Sequence, residues 1–185
     1  MKNNLAIFDL DGTLFDTTEC NYLAYRQALS ENGFELEREY YFEKCHSRNY
    51  KTFLPTIIGD EIGIREKIHD RKKELYPSYL GVATKNTHLL NIIESIRNDY
   101  YIAIATTASR TNTEDILRYF QLRELYDLLV TGEDVTKTKP NPECFTKVME
   151  HFCVKAEHTI IFEDSKIGIE AAGATGASVM VVGKF

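Results

Sequence analysis

The sequence predicts an α/β protein: a three-layer α/β/α, Rossmann-like core around a parallel sheet, with a small all-α helical-bundle cap inserted after the first strand. Three observations predict this fold class. The apolar run Leu5–Phe8 is typical of a strand that is buried on both faces, as in parallel sheets. Strand and helix patterns alternate over residues 89–182, which favours right-handed crossovers between parallel strands. Residues 35–79 show helical periodicity instead.

The first strand leads into two carboxylates and a glycine in the stretch LAIFDLDGT, residues 5–13. Gly12 marks the end of the strand, so Asp9 and Asp11 are expected at the carboxyl edge of a central strand, where α/β sheets bind ligands. Two partly desolvated carboxylates ~4 Å apart repel by about 4 kcal/mol at an effective dielectric of ~20, and a divalent cation is the obvious counterweight. A simple turn or helix cap explains the same DG dipeptide without chemistry. This stretch alone leaves both interpretations open.

The predicted cap opens with a helix of about four to five turns. Asp16 is expected to cap its N-terminus with Glu19 three residues later, and Gly33 is expected to close it. The shorter amphipathic helices predicted next cover residues 36–45, 50–58 and 60–76. Shifts in composition near both ends predict a core domain of residues 1–14 and 81–185 and a cap domain of residues 15–80.

The core resumes after the cap as four units, in each of which apolar residues at helical spacing precede a short apolar strand. The predicted helices carry these residues within 89–96, 116–120, 145–152 and 167–172, and the predicted strands are 101–105, 128–130, 159–162 and 179–182. This alternation is what predicts a parallel sheet with helices on its faces.

Composition and charge limit the kinds of partner. The chain has 185 residues, enough for one core with an insertion, and its 43% hydrophobic and 27% charged residues are ordinary for a globular protein. The formal net charge of −6 argues against nucleic-acid binding, and no apolar run approaches the ~20 residues needed to span a bilayer. Four cysteines without a CxxC pair, and a start without a signal peptide, predict a cytoplasmic protein with free thiols. We expect no nucleic acid or membrane as partner, and a monomer or weak dimer.

Polar side chains follow three further predicted strands. Thr106 and Thr107 follow IAIA, Lys137 and Lys139 lie beyond the next strand, and residues 163–165 (Glu-Asp-Ser) follow the fourth. Taken singly, the threonines and acids are explained as helix caps and the lysines as solvated residues. Together, groups of these types at four strand ends favour one crevice for phosphoryl transfer, whose charge must be met by a metal, a cation and hydrogen-bond donors.

Each side chain has a role in such a reaction. Asp9, ionised at neutral pH, is a competent nucleophile toward phosphorus, and Asp11 can protonate the leaving oxygen and then take a proton from water. Oxygen ligands from Asp9, from the backbone carbonyl of Asp11 and from Asp164 suit Mg²⁺. Thr106 and the amides after Asp9 would hold phosphate oxygens, and Lys139 would neutralise both the phosphate and Asp9.

The four motifs resemble those of the haloacid dehalogenase superfamily. DLDGT, the Thr that ends IAIAT, KPNP and FEDSKIGIEAA match its motifs over residues 5–182. The resemblance implies an aspartate-nucleophile phosphohydrolase that uses Mg²⁺ and acts on a small phosphorylated metabolite. The site residues expected on this basis are Asp9, Asp11, Thr106 and Lys139 for catalysis, Gly12, Thr13, Arg48 and Thr107 for substrate binding, and Asp9, Asp11, Glu163 and Asp164 for the metal.

The cap position is similar to that of the helical-cap subclass, which includes β-phosphoglucomutase and small-molecule phosphatases. Asp11 favours phosphoryl chemistry, because the dehalogenases of the superfamily lack an acid at that position. Asn21 stands where mutases of the β-phosphoglucomutase type carry a histidine, and an amide cannot titrate. Arg48 matches a cap arginine that grips the distal part of the substrate in such relatives, and a solvated helix-start residue is the alternative interpretation.

We therefore expect a Mg²⁺-dependent phosphatase that hydrolyses a small phosphate monoester, such as a sugar phosphate, through an aspartyl-phosphate intermediate. A β-phosphoglucomutase-like phosphosugar mutase is the alternative. A receiver-type phospho-acceptor is disfavoured because its acceptor aspartate ends a later strand and it has no long helical insertion. A non-catalytic binding protein is disfavoured because every expected catalytic residue type is present.

Overall fold

The chain folds into two compact units. The computed structural model describes residues 2–46 and 48–185. The first unit comprises Met1–Asp16 and Thr84–Phe185, and the second comprises Thr17–Ala83. The first unit contains a sheet with helices, and the second unit is helical.

The chain leaves and re-enters the first unit through a two-stranded antiparallel ribbon. Phe15 pairs with Lys85 and Asp16 pairs with Thr84. Backbone pairing keeps both strands of the ribbon in the first unit, so the second unit spans 17–83 where the sequence predicted 15–80. The prediction that Asp16 caps the following helix is wrong for the same reason, since Asp16 lies in the ribbon and Thr17 occupies the N-cap position.

Five of the strands in the described residues form one parallel sheet, in the order β5-β4-β1-β6-β7. The other two strands, β2 and β3, form the ribbon. The strands are β1 Asn4–Phe8, β2 Phe15–Asp16, β3 Thr84–Lys85, β4 Tyr100–Ala105, β5 Leu128–Val130, β6 Thr159–Glu163 and β7 Ser178–Val181. The predicted α/β fold with a parallel, Rossmann-like sheet is confirmed.

Helices α1–α5 belong to the second unit and α6–α9 to the first. The α-helices in the described residues are α1 Thr18–Ser30, α2 Arg38–Tyr40, α3 Tyr50–Phe53, α4 Pro55–Ile58, α5 Ile62–Leu75, α6 Thr87–Ile96, α7 Arg110–Tyr119, α8 Glu143–Phe152 and α9 Lys166–Gly173. A π-helix at Tyr41–Cys45 and 3₁₀-helices at Tyr76–Val82 and Ala156–His158 complete the helical segments. Within the described part of the chain, no helix is both long enough and apolar enough to cross a membrane.

Two of the predicted helices of the second unit are divided. The predicted helix over 50–58 becomes α3 and α4, because Pro55 lacks a backbone N–H and begins a new helix. The predicted helix over 36–45 becomes the short α2 followed by the π-helix. Helical periodicity therefore predicted the type of these elements correctly but not their division.

β1 is the centre of the parallel sheet. All four side chains of Leu5–Phe8 are fully buried, and Phe8 stacks on Phe162 of β6 with ring centroids 4.4 Å apart. One face of the sheet packs on α8 and α9, with Phe145 of α8 fully buried in this core. The strand order reverses at β1, because β4 and β5 lie on one side of it and β6 and β7 on the other. Asp9, directly after β1, therefore lies at the switch point where such sheets bind ligands.

The second unit has an aromatic core of its own. Tyr25 of α1 packs edge-to-face on Phe53 of α3, with ring centroids 5.0 Å apart. The Tyr25 hydroxyl lies 2.9 Å from Nδ1 of His69 on α5. The His69 ring in turn stacks on Tyr50 with centroids 3.5 Å apart and planes inclined by 2°. These contacts join α1, α3 and α5 through one cluster.

This cluster predicts a loss of stability in acid. Burial, with the ammonium groups of Lys73 and Lys72 nearby, lowers the pKa of His69 to about 4. In the unfolded chain a histidine has a pKa near 6.5, so the unfolded state binds more protons and stability falls as the pH drops from about 6.5 to about 4. We expect His69 to account for about 2 kcal/mol of this loss. This is less than the full pKa shift implies, because solvent screens the charge of a ring that is only partly buried.

Urea unfolding of the wild type and of His69→Gln across pH 7 to 4 measures this contribution. The variant is expected to show a flatter dependence of the free energy of unfolding on pH. His88→Gln is the matched control, since His88 is an exposed histidine of the first unit. Equal pH dependence of the wild type and His69→Gln would contradict the prediction.

Candidate active site

The ends of three strands meet on one ammonium group. Asp9 follows β1, is 6% exposed, and donates its backbone N–H to the Phe162 carbonyl of β6 at 3.0 Å. Lys139 is 7% exposed and donates to Asp9 Oδ1 at 2.6 Å, to Glu163 Oε1 at 2.7 Å and to the Ala105 carbonyl of β4 at 3.2 Å. The lysine thus links β1, β4 and β6 at the switch point.

Both carboxylate oxygens of Glu163 accept hydrogen bonds. Oε1 accepts from Lys139, and Oε2 accepts from the Ser165 backbone N–H at 2.7 Å and from its hydroxyl at 3.1 Å. Glu163 is the last residue of β6 and is 1% exposed. Ser165 is also the N-cap of α9, so the start of this helix and the position of the carboxylate are set by the same residue.

Asp164 is held by the loop that follows β1. Its Oδ1 accepts from the Thr13 hydroxyl at 3.1 Å. Gly12 has φ +92°, and a Cβ at this position would collide with the Asp164 carboxylate, so glycine is required both by the backbone conformation and by the close approach. Burial, reinforced by the negative charge of Glu163, raises the pKa of Asp164 to about 6.

Three carboxylates crowd this edge of the sheet. Oxygens of Asp9, Glu163 and Asp164 all lie within 4.8 Å of one another. Burial raises the pKa of Asp9 well above its ordinary value, and the charge of Lys139 opposes this only in part. For Lys139, burial lowers the pKa, but the charges of Asp9 and Glu163 outweigh it and the net shift is upward. One ammonium shared among buried carboxylates leaves negative charge that a metal ion bound to these oxygens would offset.

The threonines after β4 differ in their environment. Thr106 is 2% exposed, and its backbone N–H donates to the Val130 carbonyl of β5 at 3.0 Å. Its Oγ1 accepts the Ala108 N–H at 3.0 Å, so the hydroxyl proton points elsewhere and is available to a further acceptor. Thr107 is exposed.

Lys139 lies in the loop between β5 and α8, and Glu143 of α8 holds this loop through hydrogen bonds. The Glu143 carboxylate accepts from the Thr136 N–H at 2.9 Å and hydroxyl at 2.8 Å, and from the Lys137 N–H at 2.9 Å. Hydrogen bonds from Thr136 and Lys137 lower the pKa of Glu143 to about 2. Glu143 was not among the residues predicted from the sequence. An acid in the first helical turn after KPNP is the signal that could have found it.

The remaining predicted site residues are Asp11 and Arg48. Asp11 is half-buried, forms an isolated bridge with Phe15, and its charge contributes to the raised pKa of Asp9. Arg48 belongs to the helical unit, where it is exposed and donates its backbone N–H to the Cys45 carbonyl at 3.0 Å. Among the predicted residues, hydrogen bonds join Lys139 to Asp9 and to Glu163, and Thr13 to Asp164.

A parallel sheet with acids and a buried lysine at its switch point is typical of α/β proteins that bind a ligand at that edge. The sequence comparison specifies which kind. A family model described as haloacid dehalogenase-like hydrolase matches residues 6–182. The chain belongs to this family, which confirms the resemblance of its four motifs and its classification as a hydrolase.

Known relatives cover most of the chain. A phosphorylated carbohydrates phosphatase from Thermotoga maritima is 31% identical over 180 residues, which span 92% of this chain and 80% of that protein. The fructose-1-phosphate phosphatase YqaB from Escherichia coli is 25% identical over 177 residues, 95% of this chain and 94% of that protein. Among solved structures, CbbY from Rhodobacter sphaeroides in complex with phosphate has a TM-score of 0.86 and 26% identity, covering 100% of this chain and 88% of that one.

Proposed function

We propose that the chain is a Mg²⁺-dependent phosphatase that hydrolyses a small phosphate monoester, a sugar phosphate or a related metabolite, through an aspartyl-phosphate on Asp9. The observation that carries this proposal is the buried Lys139 ammonium between Asp9 and Glu163 at the switch point. The named activities of the two relatives, both phosphatases of carbohydrate phosphates, support the substrate class.

The first chemical step assigns separate roles to the two aspartates. Lys139 holds Oδ1 of Asp9, and a carboxylate oxygen of Asp9 attacks phosphorus. The new bond joins that oxygen to phosphorus, the bond from phosphorus to the ester oxygen breaks, and Asp11 donates a proton to the leaving oxygen. Water then attacks phosphorus, the bond from phosphorus to the Asp9 oxygen breaks, and Asp11 takes a proton from the water. Phosphate is released, Asp9 is again a carboxylate and Asp11 is again protonated.

The oxygen-only donor set fits Mg²⁺, which prefers carboxylate, carbonyl and water ligands. We propose Asp9, Asp164 and the Asp11 backbone carbonyl as its ligands. When bound, Mg²⁺ would offset the charge of the carboxylates and of the substrate phosphate. Glu163 belongs to the same cluster, but because both of its oxygens already accept hydrogen bonds, we propose that its main role is to hold Lys139.

We propose that the loops after β1 and β4 bind the substrate phosphate. We propose that the Thr106 hydroxyl and the amides after Asp9 bind phosphate oxygens, with Lys139 neutralising the charge that develops. The further residues proposed to contact substrate are Gly12, Thr13, Thr107 and Arg48. We propose the helical unit 17–83 as a cap domain that selects the rest of the substrate.

The phosphosugar mutase alternative is not favoured. Asn21, which stands in place of the mutase histidine, donates its amide to the Thr17 carbonyl and to the Thr17 hydroxyl oxygen, both at 3.1 Å. An amide does not titrate near neutral pH, so Asn21 cannot act as the acid or base that a histidine provides.

A panel of phosphate esters tests the proposal. Hexose phosphates, nucleotides, phosphoglycolate and bisphosphorylated sugars are incubated with the enzyme in Mg²⁺ or in excess EDTA, and released phosphate is measured. We expect turnover of at least one sugar phosphate, its loss in EDTA and its recovery on adding Mg²⁺. Hydrolysis that is unaffected by the chelator would refute the metal requirement, and no hydrolysis of any ester would refute the phosphatase assignment.

A further inference from the structure

The loop that carries Thr106 is fastened to the loop that follows β5. Gly132 donates its N–H to the Ala108 carbonyl at 3.0 Å, while the Ala108 N–H donates to Thr106 Oγ1 at 3.0 Å. Both backbone polar groups of Ala108 are therefore engaged, one by Thr106 and one by Gly132. A Cβ at Gly132 would lie 2.6 Å from the Thr107 carbonyl oxygen, so the two loops are in close contact. The position of the Thr106 hydroxyl thus depends on where residue 132 lies.

Asp134 fixes the second loop and reaches back to the first. A single oxygen, Asp134 Oδ2, accepts from the Thr131 N–H, the Thr131 hydroxyl and Arg110 Nη2, each at 2.7 Å. Arg110, which begins α7, also donates its backbone N–H to Glu133 Oε2 at 2.7 Å. Asp134 therefore closes the turn over residues 131–134 and ties it to the end of the Thr106 loop.

From these contacts we propose that Asp134 is a positioning residue: it holds the loop 131–134 against the loop 106–110 and thereby sets the direction of the Thr106 hydroxyl toward the substrate phosphate. This inference rests on the proposed function, in which Thr106 binds phosphate. The Asp134 carboxylate bonds to Thr131 and Arg110, and these bonds do not reach the carboxylate cluster or Lys139. Its effect on the phosphate site therefore passes through Ala108 and Thr106.

A purely superficial ion pair is the competing explanation. The Asp134 and Arg110 side chains are 36% and 43% exposed, and exposed ion pairs contribute little to stability. An ion pair alone does not explain the two bonds from Thr131, a residue that is 0% exposed. Nor does it explain the contact between the Gly132 N–H and Ala108.

A double-mutant cycle separates the two explanations. Asp134→Ala is compared in the wild-type background and in Thr106→Ala, with kcat and KM measured on the best ester of the panel. If Asp134→Ala misplaces the Thr106 hydroxyl, we expect kcat/KM to fall about 10–30-fold in the wild-type background. In the Thr106→Ala background the same substitution should lower kcat/KM less than about 3-fold, because the hydroxyl is already absent. Equal fold losses in both backgrounds would overturn the proposal. Asp134→Asn keeps an acceptor oxygen and should therefore lose less activity than Asp134→Ala. It replaces Asp134→Ala in the cycle if the alanine variant does not fold.

Amide hydrogen exchange provides a readout that does not depend on turnover. Asp134→Ala is expected to accelerate exchange of the Ala108 and Gly132 amides, which donate within and between the two loops. Glu94→Ala is the matched control, because it removes the exposed ion pair between Glu94 of α6 and Arg97, the residue directly after this helix. Unchanged exchange at Ala108 and Gly132 would overturn the proposal. If the wild type hydrolyses no ester, the proposed function fails while the exchange result still decides whether Asp134 fastens the loops.

Discussion

Asp9→Asn is expected to lower phosphate-ester hydrolysis by at least about 10³-fold, because an amide oxygen cannot form the covalent intermediate. The same variant is expected to be as stable as the wild type, or more stable, in metal-free buffer. Burial raises the pKa of Asp9, which means that the ionised carboxylate is disfavoured in the folded state, and an uncharged amide avoids this cost. Loss of activity without loss of stability would identify a chemical role.

The measurement combines steady-state kinetics at saturating Mg²⁺ with labelling of the protein from a ³²P-ester. The wild type, quenched during turnover, should carry label that hydroxylamine releases, as expected of an acyl phosphate, and Asp9→Asn should carry none. Asp99→Asn is the matched control, since Asp99 is exposed in the same unit, and it should behave as the wild type. Wild-type turnover in Asp9→Asn would exclude Asp9 as the nucleophile.

Lys139→Met should reduce both stability and activity. The substitution leaves the carboxylates of Asp9 and Glu163 buried without the ammonium that contacts both. Breaking a buried ion pair in this way costs about 3–5 kcal/mol, so we expect the free energy of unfolding in EDTA to fall by about 3 kcal/mol at neutral pH. Activity should fall at least about 10²-fold, because in the proposed mechanism Lys139 neutralises the charge of the phosphate.

Urea unfolding monitored by circular dichroism tests the effect on stability. Lys137→Met is the matched control, because Lys137 lies in the same loop and is exposed. The double variant Lys139→Met/Glu163→Gln removes one of the two stranded charges and is expected to recover part of the stability without recovering activity. A Lys139→Met protein as stable as Lys137→Met would show that the lysine is not the main counter-charge of the cluster.

Much of the fold was predictable because its signals are local. The apolar run Leu5–Phe8 needed no tertiary information to be identified as a buried strand, and it is the central strand of the sheet. The same holds for the predicted strands that became β4, β5, β6 and β7, whose observed bounds differ from the predicted ones by at most one residue at either end. The new helix at Pro55 was not predicted, because helical periodicity does not register the missing backbone N–H of proline. The pairing of Asp16 was not predicted, because its partner Thr84 lies far away along the chain.

The candidate site shows the same contrast. Motif chemistry placed Asp9 and Lys139, 130 residues apart, in one crevice, and they form a 2.6 Å ion pair in the structure. Glu163 was expected as a metal ligand, and its hydrogen bonds to Lys139 and Ser165 became visible only in the structure. No sequence motif indicated a role for Asp134, because its hydrogen bonds join two loops that follow different strands, β4 and β5.

The sequence by itself determined the parallel α/β core, the family and the residue types at the carboxyl edge of the sheet. Periodicity and strand-end position are properties of short segments and suffice for the core and for the edge of the sheet, while the family rested on the resemblance of the four motifs. Tertiary structure alone decided which charge each acid faces, how far the ribbon extends, and how the Thr106 loop is fastened. These depend on burial and on hydrogen bonds between distant segments, such as the contact of Thr13 with Asp164, and no local pattern encodes the distance between two such groups.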